Sequence, residues 1–465
     1  MHLRATRSNP ACRPSCRTIP DSPALSAGRN GRDRSQSAAA GRRPAHRPWH
    51  WLALATLLSA GLFAGLARAE EPAAPGGGWM QRWLDPSTAP FIPVPEIDVS
   101  PVGGVTLGVI PVWLKVDDNE QIRQIIAPDI IHSQYFGWGA RGRIFSYPSD
   151  DRQWSVVGGG KQRVEREFDA IYTSGLKRSD IWSWSLHANF DRSGTARFYG
   201  IGNHTPQRAE TNYVDNQGHL EASLGWNITP SMQLEYMLRL GFVQIGAAVL
   251  PTLPSIETRF PQLPGLDREE ALEHRVTFSY DTRDSVSLPH KGEQIAAFAG
   301  FADPGMWGTV SYSFVGAEAR IYRPVLPWLT IASHAAFRYM PSADRAPFWA
   351  LSSLGGDRSV IGETQPLRAY GEDRFIDRDS FAAGVEFRAR VKQFRVFATN
   401  LDIEVAPFID TGKVFRQESE SPFSHLHKAF GVGIRGVASP FIVGYVDVGF
   451  GPEGAAVFTG INYPF

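Results

Sequence analysis

Cysteine and long apolar runs are almost absent from this chain. The only two cysteines, Cys12 and Cys16, lie near the start of the 465-residue sequence. The rest of the chain therefore excludes a disulfide framework or a cysteine-bound metal site. After residue 69, no segment has the roughly 18 uninterrupted apolar residues that a membrane-spanning helix needs, which excludes helical spans.

Enzyme signatures are also missing. The sequence has no G-x-S-x-G nucleophile motif, no H-E-x-x-H zinc helix and no P-loop. Its 12 histidines are scattered, and no pair has metal-ligand spacing on one predicted element. We therefore expect that the protein is not an enzyme and has no metal site and no cofactor.

The first 69 residues have the pattern of a leader and a secretory signal peptide. Residues 51–66 are apolar, follow a basic region, and precede the small-x-small site Ala67, Arg68 and Ala69. Residues 70–97 are rich in Pro and Gly and too few for an independent domain, so they predict a periplasmic linker. The leader holds eleven of the 47 basic but only two of the 47 acidic residues, so the rest of the chain is net negative. This charge argues against a nucleic-acid partner.

From residue 98 to residue 465, apolar and polar side chains alternate. In 181–192 the apolar face carries Trp182, Trp184 and Leu186, and the polar face carries His187 and Asn189. Period-two alternation indicates strands with one apolar face, in a soluble sandwich or in a barrel whose apolar face meets lipid. Many of the runs reach ten residues or more, which favours transmembrane strands over the shorter strands of soluble sheets.

Sixteen segments show this pattern, which predicts an all-β fold, a 16-stranded antiparallel transmembrane β-barrel over residues 98–465. The long connections 117–130, 193–215, 247–270 and 341–377 all follow odd-numbered strands, as the outer loops of outer-membrane barrels do. The expected location is the outer membrane, with its lipid as the first partner. The predicted strands are 103–116, 131–146, 152–160, 166–175, 181–192, 216–227, 231–246, 271–282, 291–303, 308–323, 327–340, 378–392, 401–415, 427–437, 440–450 and 455–465.

The last predicted strand ends on an aromatic residue. Val457, Ile461, Tyr463 and Phe465 alternate with smaller or polar residues. A terminal strand of this kind is typical of the closing strand of a membrane barrel, although an edge strand of a soluble sheet has the same alternation.

The 37-residue connection 341–377 carries the most specific motifs. It contains Leu354-Gly355-Gly356, then Leu367-Arg368-Ala369-Tyr370, then Arg374-Phe375-Ile376-Asp377. These motifs, with Phe408-Ile409-Asp410-Thr411-Gly412 downstream, resemble the BamA/TamA superfamily of outer-membrane proteins (the bacterial surface antigen family). The resemblance covers residues 98–465. It implies that the loop folds inward as a lid between strands 11 and 12, and that the aromatic ending is read by the outer-membrane assembly machinery during biogenesis.

The loop motif suggests an ionic lock made of Arg368, Tyr370, Glu386 and Asp410. Glu386 lies on the inward phase of strand 12 and Asp410 on that of strand 13, so an inward-folded Arg368 can reach both carboxylates. The resemblance implies the same arrangement. Ala369 stands where the family has glycine, and an alternative register places Val360-Ile361-Gly362 on the motif but loses the arginine.

Three functions remain open from the sequence. The first is a BamA/TamA-type factor that assists protein assembly or translocation through a weak seam between the first and last strands, with a client polypeptide or a separate periplasmic partner. The second is a plugged structural or binding barrel or surface antigen. The third is a passive porin-like channel. Family members that insert proteins carry periplasmic POTRA domains, for which residues 70–97 are too short, and this favours the second function.

Overall fold

The computed structural model describes residues 92–117, 122–305, 307–396, 399–416, 421–438, 442–461 and 463–465. The predicted leader and signal peptide, and residues 70–91 of the predicted linker, lie outside these ranges.

Nearly all of the described secondary structure is β-strand. One short helix, α1 (Ile256–Arg259), and two 3-10 turns, Gln207–Ala209 and Phe348–Ala350, lie in connections. In chain order the strands are β1 (Ile92–Ser100), β2 (Gly104–Val116), β3 (Ile122–Ile126), β4 (Asp129–Ser133), β5 (Gly137–Ser149), β6 (Arg152–Lys161), β7 (Arg166–Ser174), β8 (Trp182–Ser193), β9 (Arg197–Phe198), β10 (Thr211–Asn212), β11 (Val214–Thr229), β12 (Met232–Gly246), β13 (Glu269–Asp281), β14 (Gly292–Ala302), β15 (Ser311–Leu326), β16 (Leu329–Arg345), β17 (Ser352–Leu354), β18 (Phe375–Asp377), β19 (Asp379–Val396), β20 (Thr399–Phe415), β21 (His427–Ala438), β22 (Ile442–Gly451) and β23 (Gly454–Ile461).

Nineteen of these strands form a single sheet in which sequential neighbours pair antiparallel. Two small hairpin sheets, β9 with β10 and β17 with β18, lie in connections. Within the large sheet, β3 and β4 share one position between β2 and β5, so the described residues form eighteen positions. The predicted all-β antiparallel architecture is confirmed.

The predicted count of sixteen strands is wrong for two reasons. Residues 92–97, predicted as linker, belong to β1, which pairs along its length with β2. The predicted strand 131–146 is broken by a turn between β4 and β5, where Gly137 has a φ of +75° that a glycine adopts without strain. Residues 117–130, predicted as a long connection, contain β3 and the start of β4.

Apolar side chains cover the outer face of the sheet. On β8 and β11, Trp182 is 55% exposed and Leu220 is 64% exposed, whereas Ser183 and Ser223 on the opposite face are buried. Directly opposed residues on neighbouring strands share a face, so this division continues from strand to strand. Apolar side chains are stable on an outer surface when that surface meets lipid. No helix in the described part of the chain is long and apolar enough to cross a membrane.

The first and last strands of the sheet lie side by side. The backbone N of Val99 on β1 donates to Thr459 Oγ1 on β23 at 2.7 Å. The described parts of β1 and β23 form no backbone ladder pair with each other, unlike all other neighbouring positions. The predicted seam therefore has β1 on one side, and not the segment 103–116.

The three longest fully described connections, 194–213, 247–268 and 346–378, follow strands that run in the same direction. They therefore lie at one end of the barrel, as the sorting of loop lengths predicted. The longest of them, 346–378, which we call the lid loop, joins β16 to β19 and includes β17 and β18.

Candidate functional site

The side chain of Arg368 in the lid loop is fully buried inside the barrel among three carboxylates. It makes a two-pronged contact with Asp410, from Nε to Oδ2 at 2.8 Å and from Nη2 to Oδ1 at 2.9 Å. Its Nη1 donates to Glu386 Oε2 at 2.8 Å and to Asp447 Oδ2 at 2.9 Å. The guanidinium also lies 3.6 Å from the centre of the Phe408 ring. The guanidinium is therefore bonded to carboxylates through all three of its nitrogens and stacked on an aromatic ring.

Two further arginines complete this ion cluster. Arg435 donates to Glu386 Oε2 at 2.7 Å, to Glu386 Oε1, and weakly to Asp447 at 3.5 Å. Arg388 Nε donates to Glu386 Oε1 at 2.6 Å. The cluster thus contains three guanidinium groups and three carboxylates, all nearly or fully buried. Equal numbers of opposite charges in direct contact make such deep burial tolerable.

The charge state of Arg368 follows from these contacts. Burial alone disfavours the charged guanidinium and lowers its pKa. The three neighbouring carboxylates, with Asp410 the strongest, outweigh burial and hold the pKa of Arg368 well above its ordinary value. The arginine is therefore a permanent cation inside the barrel.

Strand alternation places the acids. Glu386 lies on β19, Asp410 on the neighbouring β20, and Asp447 two strands further on β22, each on the inward phase. Arg435 occupies the same phase of the intervening β21. Four adjacent positions of the sheet therefore direct charges to one point, which the lid loop reaches with Arg368.

The loop backbone follows the sequence motifs closely. Gly355 and Gly356 have φ angles of +137° and +78°, which explains the paired glycines. Gly356 N donates to the carbonyl of Tyr370, and Leu367 N donates to the carbonyl of Gly356. Ala369 is not among the residues with a positive φ, so alanine is accepted where the family has glycine. The contacts of Arg368 place the motif at 367–370 and not at 360–362.

Apolar residues anchor the same loop. Leu354, Leu367, Tyr370 and Phe375 are buried together against the barrel wall. Tyr370, predicted as part of the ionic lock, makes no contact with the ion cluster and packs with its ring 5.2 Å from that of Phe375. The burial of Tyr370 is apolar packing, because its hydroxyl has no hydrogen-bond partner among the residues that the structure describes.

The last part of the loop motif ties three connections together. Arg374 Nε donates to Glu453 Oε2 at 2.9 Å in the β22–β23 turn, and Arg374 Nη2 donates to the Thr205 carbonyl at 2.7 Å. The Phe375 ring stacks on His427 at 3.8 Å. Asp377 accepts from Arg416 Nε at 3.2 Å. These residues lie apart from the ion cluster and fix the outer part of the loop.

A glycine on the barrel wall admits the loop. A Cβ added to Gly449 on β22 would overlap the carbonyl oxygen of Arg368. Gly449→Ala is therefore expected to displace the lid loop and to lower the free energy of unfolding by about 1–3 kcal/mol, as overpacking does. Gly444→Ala on the same strand is the matched control, because no atom lies within 4 Å of the added Cβ. Thermal unfolding in detergent measures both, and equal melting temperatures would contradict the close approach.

A comparison with known families decides which family this barrel belongs to. The model of the Omp85 superfamily domain matches residues 155–445, which is more than half of the chain. The chain belongs to the Omp85 superfamily. The predicted resemblance to BamA/TamA barrels and the predicted outer-membrane location are therefore confirmed. Omp85 proteins translocate or assemble proteins at the outer membrane and are not enzymes.

Several solved structures are similar to this Omp85 barrel. One is BamA from Haemophilus ducreyi lacking POTRA domains 1–3, with a TM-score of 0.49 and 12% identity over 76% of this chain and 75% of that chain. CdiB from Escherichia coli has a TM-score of 0.48 and 11% identity over 77% and 67% of the two chains. CdiB from Acinetobacter baumannii has a TM-score of 0.43 and 11% identity over 77% and 65%. No curated protein matches the sequence. The assignment to the superfamily rests on the family model.

The end of the Omp85 barrel differs from the sequence prediction. β23 ends at Ile461, with Val457 on its outer phase opposite Val448 of β22. Tyr463 and Phe465, predicted on the same lipid-facing strand, lie inside the barrel. Phe465 is 5% exposed, with its ring 4.4 Å from that of His334. Residues 463–465 lie outside β23, and Pro464 among them cannot donate a ladder hydrogen bond.

Residues 463–465 join the ion cluster to the lid loop. The Arg388 guanidinium lies 3.7 Å from the centre of the Tyr463 ring, and Arg388 Nη2 donates to the backbone oxygen of Phe465 at 3.0 Å. In turn, Ser359 N in the lid loop donates to the carbonyl of Pro464 at 3.0 Å. Cationic and aromatic partners inside the barrel therefore hold the aromatic residues that the sequence pattern placed in lipid.

Three members of the ion cluster were missed from sequence: Arg388, Arg435 and Asp447. Asp447 is the only charged residue of β22. Arg435 is the only arginine, lysine or acidic residue among the inward-facing positions of β21. A single charge on the inward phase of an otherwise apolar or small strand is the signal that could have found both.

Proposed function

We propose that this Omp85 barrel assists the assembly or translocation of outer-membrane proteins through the seam between β1 and β23. The observation that carries the proposal is the contact between Val99 N and Thr459 Oγ1, a side-chain bond where other neighbouring strands have ladders. A strand edge without a complete ladder presents free backbone groups that a client strand can pair with. The partners are then outer-membrane lipid and a client polypeptide.

The lid loop has a defined place in this proposal. Arg368 holds the loop inside the barrel through Glu386, Asp410 and Asp447, and so places it in the central path. A client polypeptide at the seam is then directed to the strand edges of β1 and β23 and to the membrane. The lid loop keeps it from passing through the centre of the barrel. The buried lid loop disfavours the passive porin, because the loop and its ion cluster occupy part of the interior.

A disulfide across the seam tests the proposal. Val99→Cys with Thr459→Cys joins β1 to β23, and the chain has no cysteine other than Cys12 and Cys16. We expect oxidation of this pair to reduce the amounts of other outer-membrane barrels when the variant is the only copy in the cell. The measurement is quantitative proteomics of outer membranes, with and without reductant.

The matched control is Val448→Cys with Val457→Cys, a directly opposed pair within the β22–β23 ladder. This disulfide joins strands that are already paired, so it should leave the amounts of other outer-membrane barrels unchanged. A seam-locked barrel with an unaltered outer-membrane profile would contradict the proposal. That outcome would support the second function, a plugged structural or binding barrel, which the lid loop inside the barrel also favours.

A further inference from the structure

Two histidines and a glutamate converge on the inner wall of the barrel, away from the lid-loop ion cluster. His187 lies on β8 directly opposite Glu221 on β11, and His219 lies two residues before Glu221. All three side chains share the inward phase. One nitrogen or oxygen atom of each lies within 4.8 Å of the others. We propose that these residues bind a divalent transition-metal ion of the Zn²⁺ type.

The distance between the two imidazoles fits this ion. His187 Nδ1 and His219 Nε2 are 3.3 Å apart, and the rings meet edge to face at 87°. Zinc–nitrogen bonds of about 2.0–2.1 Å at a tetrahedral angle place two nitrogen ligands about 3.3–3.4 Å apart. An ion can therefore replace the hydrogen that now joins the rings without separating them.

A neighbouring acid already orients the first ligand. Asp169 Oδ2 on β7 lies 2.6 Å from His187 Nε2, and Asn189 Nδ2 donates to the same oxygen at 3.2 Å. A carboxylate at Nε2 keeps the proton on that nitrogen and leaves the Nδ1 lone pair toward His219. A carboxylate behind a histidine is the arrangement that orients zinc ligands in proteins. This contact is independent of the convergence of the three ligands.

The third ligand links the site to the lid loop. Glu221 Oε2 accepts from Arg239 Nε at 2.8 Å, and Arg239 Nη1 donates to Glu363 of the lid loop at 3.0 Å. Glu221, Glu363 and Asp169 outnumber the two guanidinium groups that contact them, those of Arg239 and of Arg275, which lies 3.9 Å from Glu363, so the net negative charge of this group favours a cation. The side chains of His187 and Glu221 are 23% and 15% exposed, which leaves the ion a path from the interior and a position for water.

The ligand set selects the class of ion. Two imidazoles and one carboxylate suit Zn²⁺ and related transition metals, whereas Mg²⁺ and Ca²⁺ prefer oxygen ligands alone. The proposal does not depend on the seam, so its failure leaves the proposed assembly function unaffected.

Metal titration of the purified full barrel tests the site. The protein, with any affinity tag removed and after treatment with a chelator, is titrated with Zn²⁺ and separately with Mg²⁺ by calorimetry. We expect one Zn²⁺ per chain and no comparable Mg²⁺ binding. His187→Ala and His219→Ala should each weaken Zn²⁺ binding by more than about tenfold, and Asp169→Asn by about 10–100-fold, as loss of an orienting partner does.

His274→Ala is the matched control, because His274 is a strand histidine whose imidazole contacts Tyr236 and Phe301 and not this group. Heat-modifiable migration verifies that each variant is folded, and either ligand variant alone suffices for the test. Absence of stoichiometric Zn²⁺ binding by the unaltered barrel would overturn the proposal. Equal Zn²⁺ affinity of the folded ligand variants and the His274 control would also overturn it.

Discussion

Replacement of Arg368 by alanine is expected to release the lid loop and to lower the free energy of unfolding by about 3–5 kcal/mol. The substitution removes the cation that contacts Asp410, Glu386 and Asp447. The carboxylates would stay buried with two arginines for three acids, and Asp410 would lose its two-pronged partner. Breaking a buried ion pair from one side costs far more than the intact pair contributes, because a charge remains without compensation.

The measurement combines protease access with thermal unfolding. In intact outer membranes, proteinase K should cut the Arg368→Ala lid loop within residues 346–378 while the unaltered loop stays protected. Arg368→Lys keeps the positive charge but loses the planar fork of donors. Its protease access and melting temperature should therefore lie between those of the unaltered protein and of Arg368→Ala. Unchanged protection and an unchanged melting temperature in Arg368→Ala would contradict the lock.

Arg416→Ala provides the matched control for this substitution. Arg416 also pairs with an acid of the lid-loop motif, Asp377, at 3.2 Å, but its side chain is 59% exposed. Pairs that are open to water contribute about 0–1 kcal/mol. We therefore expect Arg416→Ala to leave both protection and melting temperature nearly unchanged, which would separate the effect of burial from that of losing an arginine.

Alternation along strands explains how far the sequence could predict this cluster. Glu386 and Asp410 lie on neighbouring strands, and a period of two is enough to place both on the inner face. Asp447 and Arg435 follow the same strand alternation. Their contact with Arg368 can be recognised only when β21 and β22 are known to curve toward the lid loop. That convergence depends on the closure of the whole barrel, which no local pattern specifies.

The strand count failed where the local pattern contained no clear break. Residues 131–146 alternate well enough to read as one strand, and only the positive φ of Gly137 identifies the turn. Residues 92–97 contain prolines, which are rare inside sheets because they cannot donate a ladder hydrogen bond. Pairing along β2 nevertheless places them in β1. Tertiary pairing overrode local propensity in that case.

The same reasoning applies to the histidines that converge on the inner wall. His187 and His219 are 32 positions apart in sequence and lie on different strands. Their proximity follows from the β8–β11 register, and a connection of about twenty residues hides that register from any search for short metal-ligand spacings. Sites formed by two paired strands that a long connection separates in sequence are therefore the hardest to predict from the sequence.

Phe465→Ala is expected to lower the free energy of unfolding by about 3 kcal/mol or more, the usual cost of emptying a buried aromatic site. The ring packs against His334, Tyr322 and Ala332, and only the ring is removed, so the contact of Arg388 with the backbone oxygen can persist. Loss of the ring should also loosen the lid loop, because Ser359 is bonded to the adjacent Pro464. Thermal unfolding of protein refolded in detergent measures the effect.

Refolding in detergent separates two roles for this residue. The family resemblance implies that the aromatic ending guides insertion by the assembly machinery, whereas its burial implies that it stabilises the finished barrel. An effect on insertion alone would leave the refolded Phe465→Ala barrel as stable as the unaltered one but reduce its amount in the outer membrane of cells. If the buried ring stabilises the barrel, Phe465→Ala has a lower melting temperature in detergent, where no assembly machinery is present.

Phe423→Ala is the control, because Phe423 is 68% exposed and substitutions of exposed residues change stability by about 0.5 kcal/mol or less. A refolded Phe465→Ala barrel that melts with the control would contradict an internal anchor and leave the insertion signal as the role of this residue.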